Sequence, residues 1–212
     1  MLQKNTIEPG TLELLEHLCA DANLKNFSLA GGTALALQIG HRKSIDLDFF
    51  TIDVFDADTL LQYLEEKYNF SLDYSALYTL KGHINSIKIE FLTHKYPLID
   101  PIIESDKVRL YSVRDITAMK LNAIAGNGTR SKDFIDVYFL LEEYTVNQMV
   151  KFYELKYKNR NLFHVVKSLH YFDDLQTHDW PIMVKEKGLK LEEVKKRISK
   201  SVERFLKEND FI

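Results

Sequence analysis

Cysteine is nearly absent from the chain: Cys19 stands alone among 212 residues. That excludes an internal disulfide framework and any zinc site built on clustered cysteines. Cys19 lies among Leu14, Leu15 and Leu18 at helical spacing, so a core position is expected of it. Long apolar runs are also missing. No stretch approaches the roughly 18 residues of a membrane span, and the chain does not open on a basic segment followed by an apolar one. A cytoplasmic protein with no membrane partner is expected. Excess positive charge is lacking as well: 28 Lys and Arg against 31 Asp and Glu give a net charge of −3. No global cationic field argues for nucleic acid, so any such contact has to come from local patches. Repeats, low-complexity segments and flexible linkers are absent too. With 45% hydrophobic residues the chain is long enough to bury one large core or two small ones.

Apolar residues at helical spacing predict a helix over residues 11 to 24, after Pro9-Gly10. "FSLA" reads as a short strand, Gly31-Gly32 as a turn, Thr33 to Ile39 as a helix and "SIDLDFF" as a second strand. A helix over 58 to 68 follows, then two strands in 74 to 94 about a turn at Lys81-Gly82-His83. "VRLYSVRDITAMKLNAIAG" gives a strand and then a helix opened by Ser112, with Asp115 three residues on. Beyond it the pattern is helix after helix: one in "SKDFIDVYFLLEEY" with Ser131 as its expected cap, then 146 to 158, 161 to 170 and 190 to 207. The fold class expected is α+β, with an α+β domain over 1–110 and a helical domain over 111–212 packed against it.

Two aspartates carry the first chemical signal. Residues two apart on a strand share a face, so Asp46 and Asp48 project together while Ile45, Leu47 and Phe49 point the other way. Like charges a few ångströms apart repel unless a proton or cation lies between them, and magnesium is a hard cation that favours such oxygens. A solvated edge strand would carry the same D-x-D at little cost. Gly31-Gly32 followed by Thr33 at a helix start offers N–H groups and a hydroxyl to an anion, with the helix dipole behind them. Glu90, between Ile89 and Phe91 on a later strand, is placed as a third ligand would be. His41-Arg42-Lys43 lies in the loop before the D-x-D and reads as a solvated basic loop or a phosphate contact. Lys120, by position alone, reads as a surface or salt-bridged residue. Asp133 and Asp136 read as acids capping a helix start, and at i and i+3 they share a face that could meet Lys120 across the two helices. His164, His170 and His178 read as structural, and the mixed-charge end of the chain as an amphipathic helix.

"LAGGTALALQIGHRKSIDLDFF" together with "DITAMKLNAIAGNGTRSKDFIDVYFLL" resembles the AbiEii/AbiGii toxin family, a branch of the DNA polymerase β-like nucleotidyltransferase superfamily found in abortive-infection and toxin–antitoxin loci. The later "LHYFDDL" and Trp180 extend the likeness over about residues 27 to 180. The wider superfamily has serine after the second glycine, where this chain has Thr33.

The resemblance implies a polymerase β-like mixed sheet with helices, followed by a helical half. It also implies transfer of a nucleoside monophosphate from an NTP to an acceptor, with Mg2+ or Mn2+ on Asp46, Asp48 and Glu90. Gly31, Gly32, Thr33, Arg42, Lys43 and Lys132 would bind the nucleotide, and Lys120, Asp133 and Asp136 would join the catalytic set. tRNA or another RNA is an implied acceptor and a cognate antitoxin an implied partner. The competing reading is a non-catalytic nucleotide-binding regulatory module on the same fold.

Overall fold

A computed structural model describes residues 1–158 and 162–209. The chain forms two compact units, Met1–Pro97 with Pro101–Tyr111, and Leu98–Asp100 with Ser112–Ile212.

The first unit is built on one mixed sheet. In chain order it runs α1 (Pro9–Ala20), β1 (Ser28–Leu29), α2 (Gly31–Ile39), β2 (Leu47–Thr51), α3 (Ala57–Tyr68), β3 (Ser71–Ala76), β4 (Thr79–Ile84), β5 (Ile87–Thr93), β6 (Ile103–Ser105) and β7 (Val108–Leu110). The strand order is β3-β4-β5-β2-β1-β7-β6, with β2 parallel to β5 and β1 parallel to β7. Leu47, Phe49, Ile89 and Phe91 are fully buried under the sheet, and Phe49 stacks on Phe91 at 5.3 Å. Ile45, expected to face inward with them, is 60% exposed, because the strand begins only at Leu47.

The stretch expected to hold two strands holds three, β3 to β5. Lys81-Gly82-His83 is not their turn but the middle of β4. The reversals fall instead at Tyr78 and at Asn85-Ser86, which take positive φ of 59°, 50° and 65°. Gly82 is glycine for a different reason. A Cβ there would meet the Ser71 carbonyl of β3 and the Phe70 ring, so the residue serves close strand approach rather than a bend.

Helix α1 starts with Pro9 at its first position and stops at Ala20, short of the expected residue 24. The break belongs to Asp21, whose carboxylate accepts from Asn23 N at 3.0 Å, Tyr63 Oη at 2.5 Å, Tyr68 Oη at 2.7 Å and Lys67 Nζ at 2.9 Å. Burial by itself would raise its pKa, but these four donors outweigh it and hold the carboxyl at about 2. A carboxylate depressed in the folded state stabilises above its unfolded pKa, and that contribution is lost as pH falls from about 4 towards 2. Between those values the wild-type urea midpoint should therefore fall more steeply than that of Asp21→Asn, and parallel curves would refute the assignment. Arg109 of β7 closes the same corner, donating to the carbonyls of Cys19, Leu24 and Phe27. Cys19 is buried in the core, as its spacing implied.

The second unit is helical, with α4 (Val113–Gly126), α5 (Ser131–Leu140), α6 (Val146–Tyr157), α7 (Leu162–Leu169) and α8 (Leu191–Glu208). Helix α4 packs against α5, α6 and α7, and α8 packs against α5. Ser112 caps α4, accepting from Asp115 N at 3.0 Å. Ser131 does not cap α5. Arg130 holds that position without a side-chain bond, and the Ser131 hydroxyl donates to Asp179 at 2.7 Å. From Asp133 to Leu140 every residue of α5 is buried, so the helix is a central one rather than amphipathic. Helix α8 buries Val194, Ile198, Val202 and Phe205 and turns its charges outward. Among the described residues no helix is long and apolar enough to cross a membrane.

Candidate active site

In the first unit the site is assembled around the junction of β1, α2 and β2. Ala30 N donates to the Asp48 carbonyl at 2.8 Å, and Gly31 then turns the chain into α2 with a φ of +66°. A Cβ on Gly31 would collide with Asp48 Oδ2, and one on Gly32 would collide with the Arg42 guanidinium. The glycine pair thus brings bare backbone against a carboxylate on one side and a guanidinium on the other, at a helix N-terminus whose first N–H groups have no intrahelical acceptor. Gly31→Ala should cost about 1–2 kcal/mol from the left-handed backbone alone. It should also displace Asp48 and lower turnover beyond that loss. Gly10→Ala, a helical glycine with nothing near its Cβ, is the control and should be neutral or stabilising in a melting experiment.

Thr33 is buried, and its hydroxyl lies 2.5 Å from the Asp46 carbonyl and 2.8 Å from Ser44 Oγ. The hydroxyl expected to face an anion therefore faces inward and holds the segment that carries Asp46. The basic loop is not solvated either. His41 and Arg42 are buried, Arg42 donates to the Lys43 carbonyl at 3.1 Å, and Lys43 lies 3.5 Å from Glu8.

The parallel register sets Asp48 of β2 directly beside Glu90 of β5, and the antiparallel register sets Lys81 of β4 beside Glu90 on the other flank. Lys81 Nζ is 2.8 Å from Glu90 Oε2, and Lys88 Nζ is 2.8 Å from Oε1. Lys88 has its pKa raised, first by this bond and also by the charges of Asp46 and Asp48, so all three carboxylates act on one ammonium. Burial would raise the Glu90 carboxyl, yet the two ammonium groups hold it below the usual range. Both oxygens of Glu90, expected as the third metal ligand, are thus engaged. Among the described residues no group of three or more His, Cys, Asp or Glu side chains is arranged to hold a metal ion. Asp46, expected to share a strand face with Asp48, lies just before β2, because the strand begins only at Leu47, and its charge still acts with that of Asp48 on Lys88. Asp46 and Asp48 remain as the two-carboxylate set. That chemistry fits a hard divalent cation that completes its shell with water and phosphate oxygens, as magnesium does. The lysines escaped the sequence reading, although Lys88 and Glu90, two apart on a strand, were readable as neighbours on one face.

In the second unit, Lys120 of α4 is 7% exposed. Its ammonium lies 2.7 Å from Asp133 Oδ1 and 2.6 Å from Asp136 Oδ2, both on α5. Of the two positions open to it from sequence, surface or salt-bridged, the structure shows the salt-bridged one, and buried: the helix face turns inward and the two aspartates supply the counter-charge. Lys132 next to them is half-exposed. A second buried pair, Lys156 with Asp115 at 2.7 Å, differs in one respect. Asp115 also takes Ser112 Oγ at 2.6 Å and the N–H groups of Ile99 and Asp100 at 3.0 and 3.2 Å, so its carboxylate is saturated. Asp133 Oδ2 is buried with no hydrogen-bond partner among the described residues. Since buried polar atoms are nearly always bonded, an orphan carboxylate oxygen marks a functional candidate, whereas the saturated pair is a structural tie.

The family model described as nucleotidyl transferase AbiEii toxin, type IV TA system, matches residues 13–75 and 68–211. An uncharacterised protein of Aquifex aeolicus is 33% identical over 168 residues, covering 76% of this chain and 81% of its own. Among solved structures, a nucleotidyltransferase described as putative from H. pylori superposes with a TM-score of 0.56 at 16% identity, over 94% of this chain and 93% of its own. The nucleotidyltransferase toxin MenT4 from Mycobacterium tuberculosis H37Rv superposes with a TM-score of 0.60 at 14% identity, over 91% and 81%. The two structures share the fold: a mixed sheet with helices followed by a helical half. The chain belongs to the AbiEii nucleotidyltransferase toxin family of type IV toxin–antitoxin systems, and nucleotidyl transfer is its class of reaction.

Proposed function

We propose that the chain moves a nucleoside monophosphate from an NTP to an RNA acceptor, with tRNA as the first candidate, in a reaction that depends on a divalent cation at Asp46 and Asp48. The observation that carries this reading is the contact between Gly31 and Asp48, which sets bare helix-start N–H groups beside a carboxylate pair. A cation there would neutralise triphosphate charge and lower the pKa of the attacking hydroxyl.

The remaining work falls to the protein. Gly31 and Gly32 let phosphate oxygens approach the backbone, and Arg42, held against Gly32, faces the same anion. Lys43 and Lys132 add positive charge for the nucleotide. Thr33 acts at one remove by fixing the Asp46 carbonyl. Lys120, with Asp133 and Asp136, serves the same reaction as a phosphate-charge and proton-handling set, and the orphan Asp133 oxygen supports that role. The family further implies a cognate antitoxin and growth inhibition as the cellular effect.

When the purified protein is incubated with magnesium, a cell extract and each α-labelled NTP in turn, at least one NTP should leave label in the RNA fraction. Transfer should weaken with rising salt, because cationic side chains facing a polyanion release counterions on binding. Label in protein, or salt-insensitive labelling of RNA, would contradict the acceptor assignment.

A further inference from the structure

Asp48, Glu90, Lys81 and Lys88 share one face of β2, β5 and β4, and Asp46, just before β2, adds a third carboxylate that acts on Lys88, leaving a net charge of −1 on the cluster. The side chains of Lys81 and Lys88 are 38% and 47% exposed, whereas that of Glu90 is 13% exposed. Ion pairs with one exposed, flexible partner are weak and easily exchanged. These lysines can therefore leave Glu90 without unfolding anything.

We propose that Lys81 and Lys88 are built-in counter-ions that suppress uptake of a free divalent cation and make cation binding conditional on a polyphosphate. The inference rests on the reading of Asp46 and Asp48 as the cation site. In the ligand-free protein the two ammonium groups neutralise most of the carboxylate charge, so a cation arriving alone meets a weak field and must displace them. A cation arriving on a polyphosphate brings its own anionic oxygens, and the released ammonium groups turn to those. The lysines then change partner from Glu90 to phosphate, which frees a third carboxylate beside Asp48.

The test uses equilibrium dialysis with Mn2+ alone, and separately with inorganic tripolyphosphate plus Mn2+, on wild type and Lys81→Met/Lys88→Met. Removing two positive charges a few ångströms from the carboxylates should tighten binding of Mn2+ alone on the order of ten-fold. The same double substitution should weaken tripolyphosphate binding. A merely structural lesion would weaken both, so the opposite signs are the signature. Adding Asp46→Asn and Asp48→Asn should abolish the Mn2+ gain. Should the double variant not fold, Lys88→Met alone carries the test, with a smaller shift in the same direction. Mn2+ affinity that is unchanged or lower, yet still dependent on the aspartates, overturns the counter-ion role. Aspartate-dependent Mn2+ binding in no variant, with or without tripolyphosphate, overturns the cation-site reading itself.

Discussion

Asp48→Asn is expected to lower NTP turnover by more than about 100-fold, because even residues that only support metal ligands cost 10- to 100-fold when replaced. The change is isosteric and keeps the side chain against Gly31. It removes one of two carboxylates from the D-x-D pair, leaving Asp46 as a single anchor. Stability should move little, by less than about 1 kcal/mol, since repulsion from Glu90 and Asp46 is relieved while attraction to Lys88 is lost. Pyrophosphate release and thermal melting on the same preparation separate the two effects. Turnover near wild-type would remove Asp48 from the catalytic set, whereas a collapse of the fold would make its role structural.

Lys120→Ala is expected to lower stability strongly. Removing the ammonium leaves Asp133 and Asp136 buried and mutually repelling, a loss of about 3–5 kcal/mol by analogy with other broken buried pairs. Asp136→Asn should recover part of that loss in the Lys120→Ala background, because one uncompensated charge then disappears; a double-mutant cycle in urea measures it. Lys156→Ala is the matched comparison, since it also strands a fully buried carboxylate. Assayed where each variant is folded, Lys120→Ala should lose turnover and Lys156→Ala should keep it. Equal retention by both would return Lys120 to a structural role.

What could be read in the sequence was local, and what could not was decided by partners distant along the chain. Gly31-Gly32 and D-x-D are adjacent motifs whose geometry follows from backbone rules: α2 forms where the glycine pair implies, and β2 forms on the D-x-D segment but starts late, with Asp48 on the strand and Asp46 just before it. Gly82 misled because a strand glycine and a turn glycine look alike. Only the neighbouring Ser71 carbonyl and Phe70 ring tell them apart. Ile45 broke its alternation because the strand starts two residues later. Asp133 and Asp136, three apart on one face of α5, were readable as able to meet Lys120 across the two helices, and they do; what the helix carrying the lysine does not show is that the contact is buried. Ser131 looked like a cap because its partner Asp179 is 48 residues away. Lys88 was different: its spacing to Glu90 was visible, and the pairing followed from the period of a strand.

The decisive measurement is pyrophosphate release by the purified protein, with each NTP and an RNA pool, compared with Asp46→Asn/Asp48→Asn. Release should require both a divalent cation and RNA and should be lost in the folded double variant. Release that survives in that variant, or none from the wild type with any NTP, RNA or cation, would contradict the proposed cation-dependent transfer.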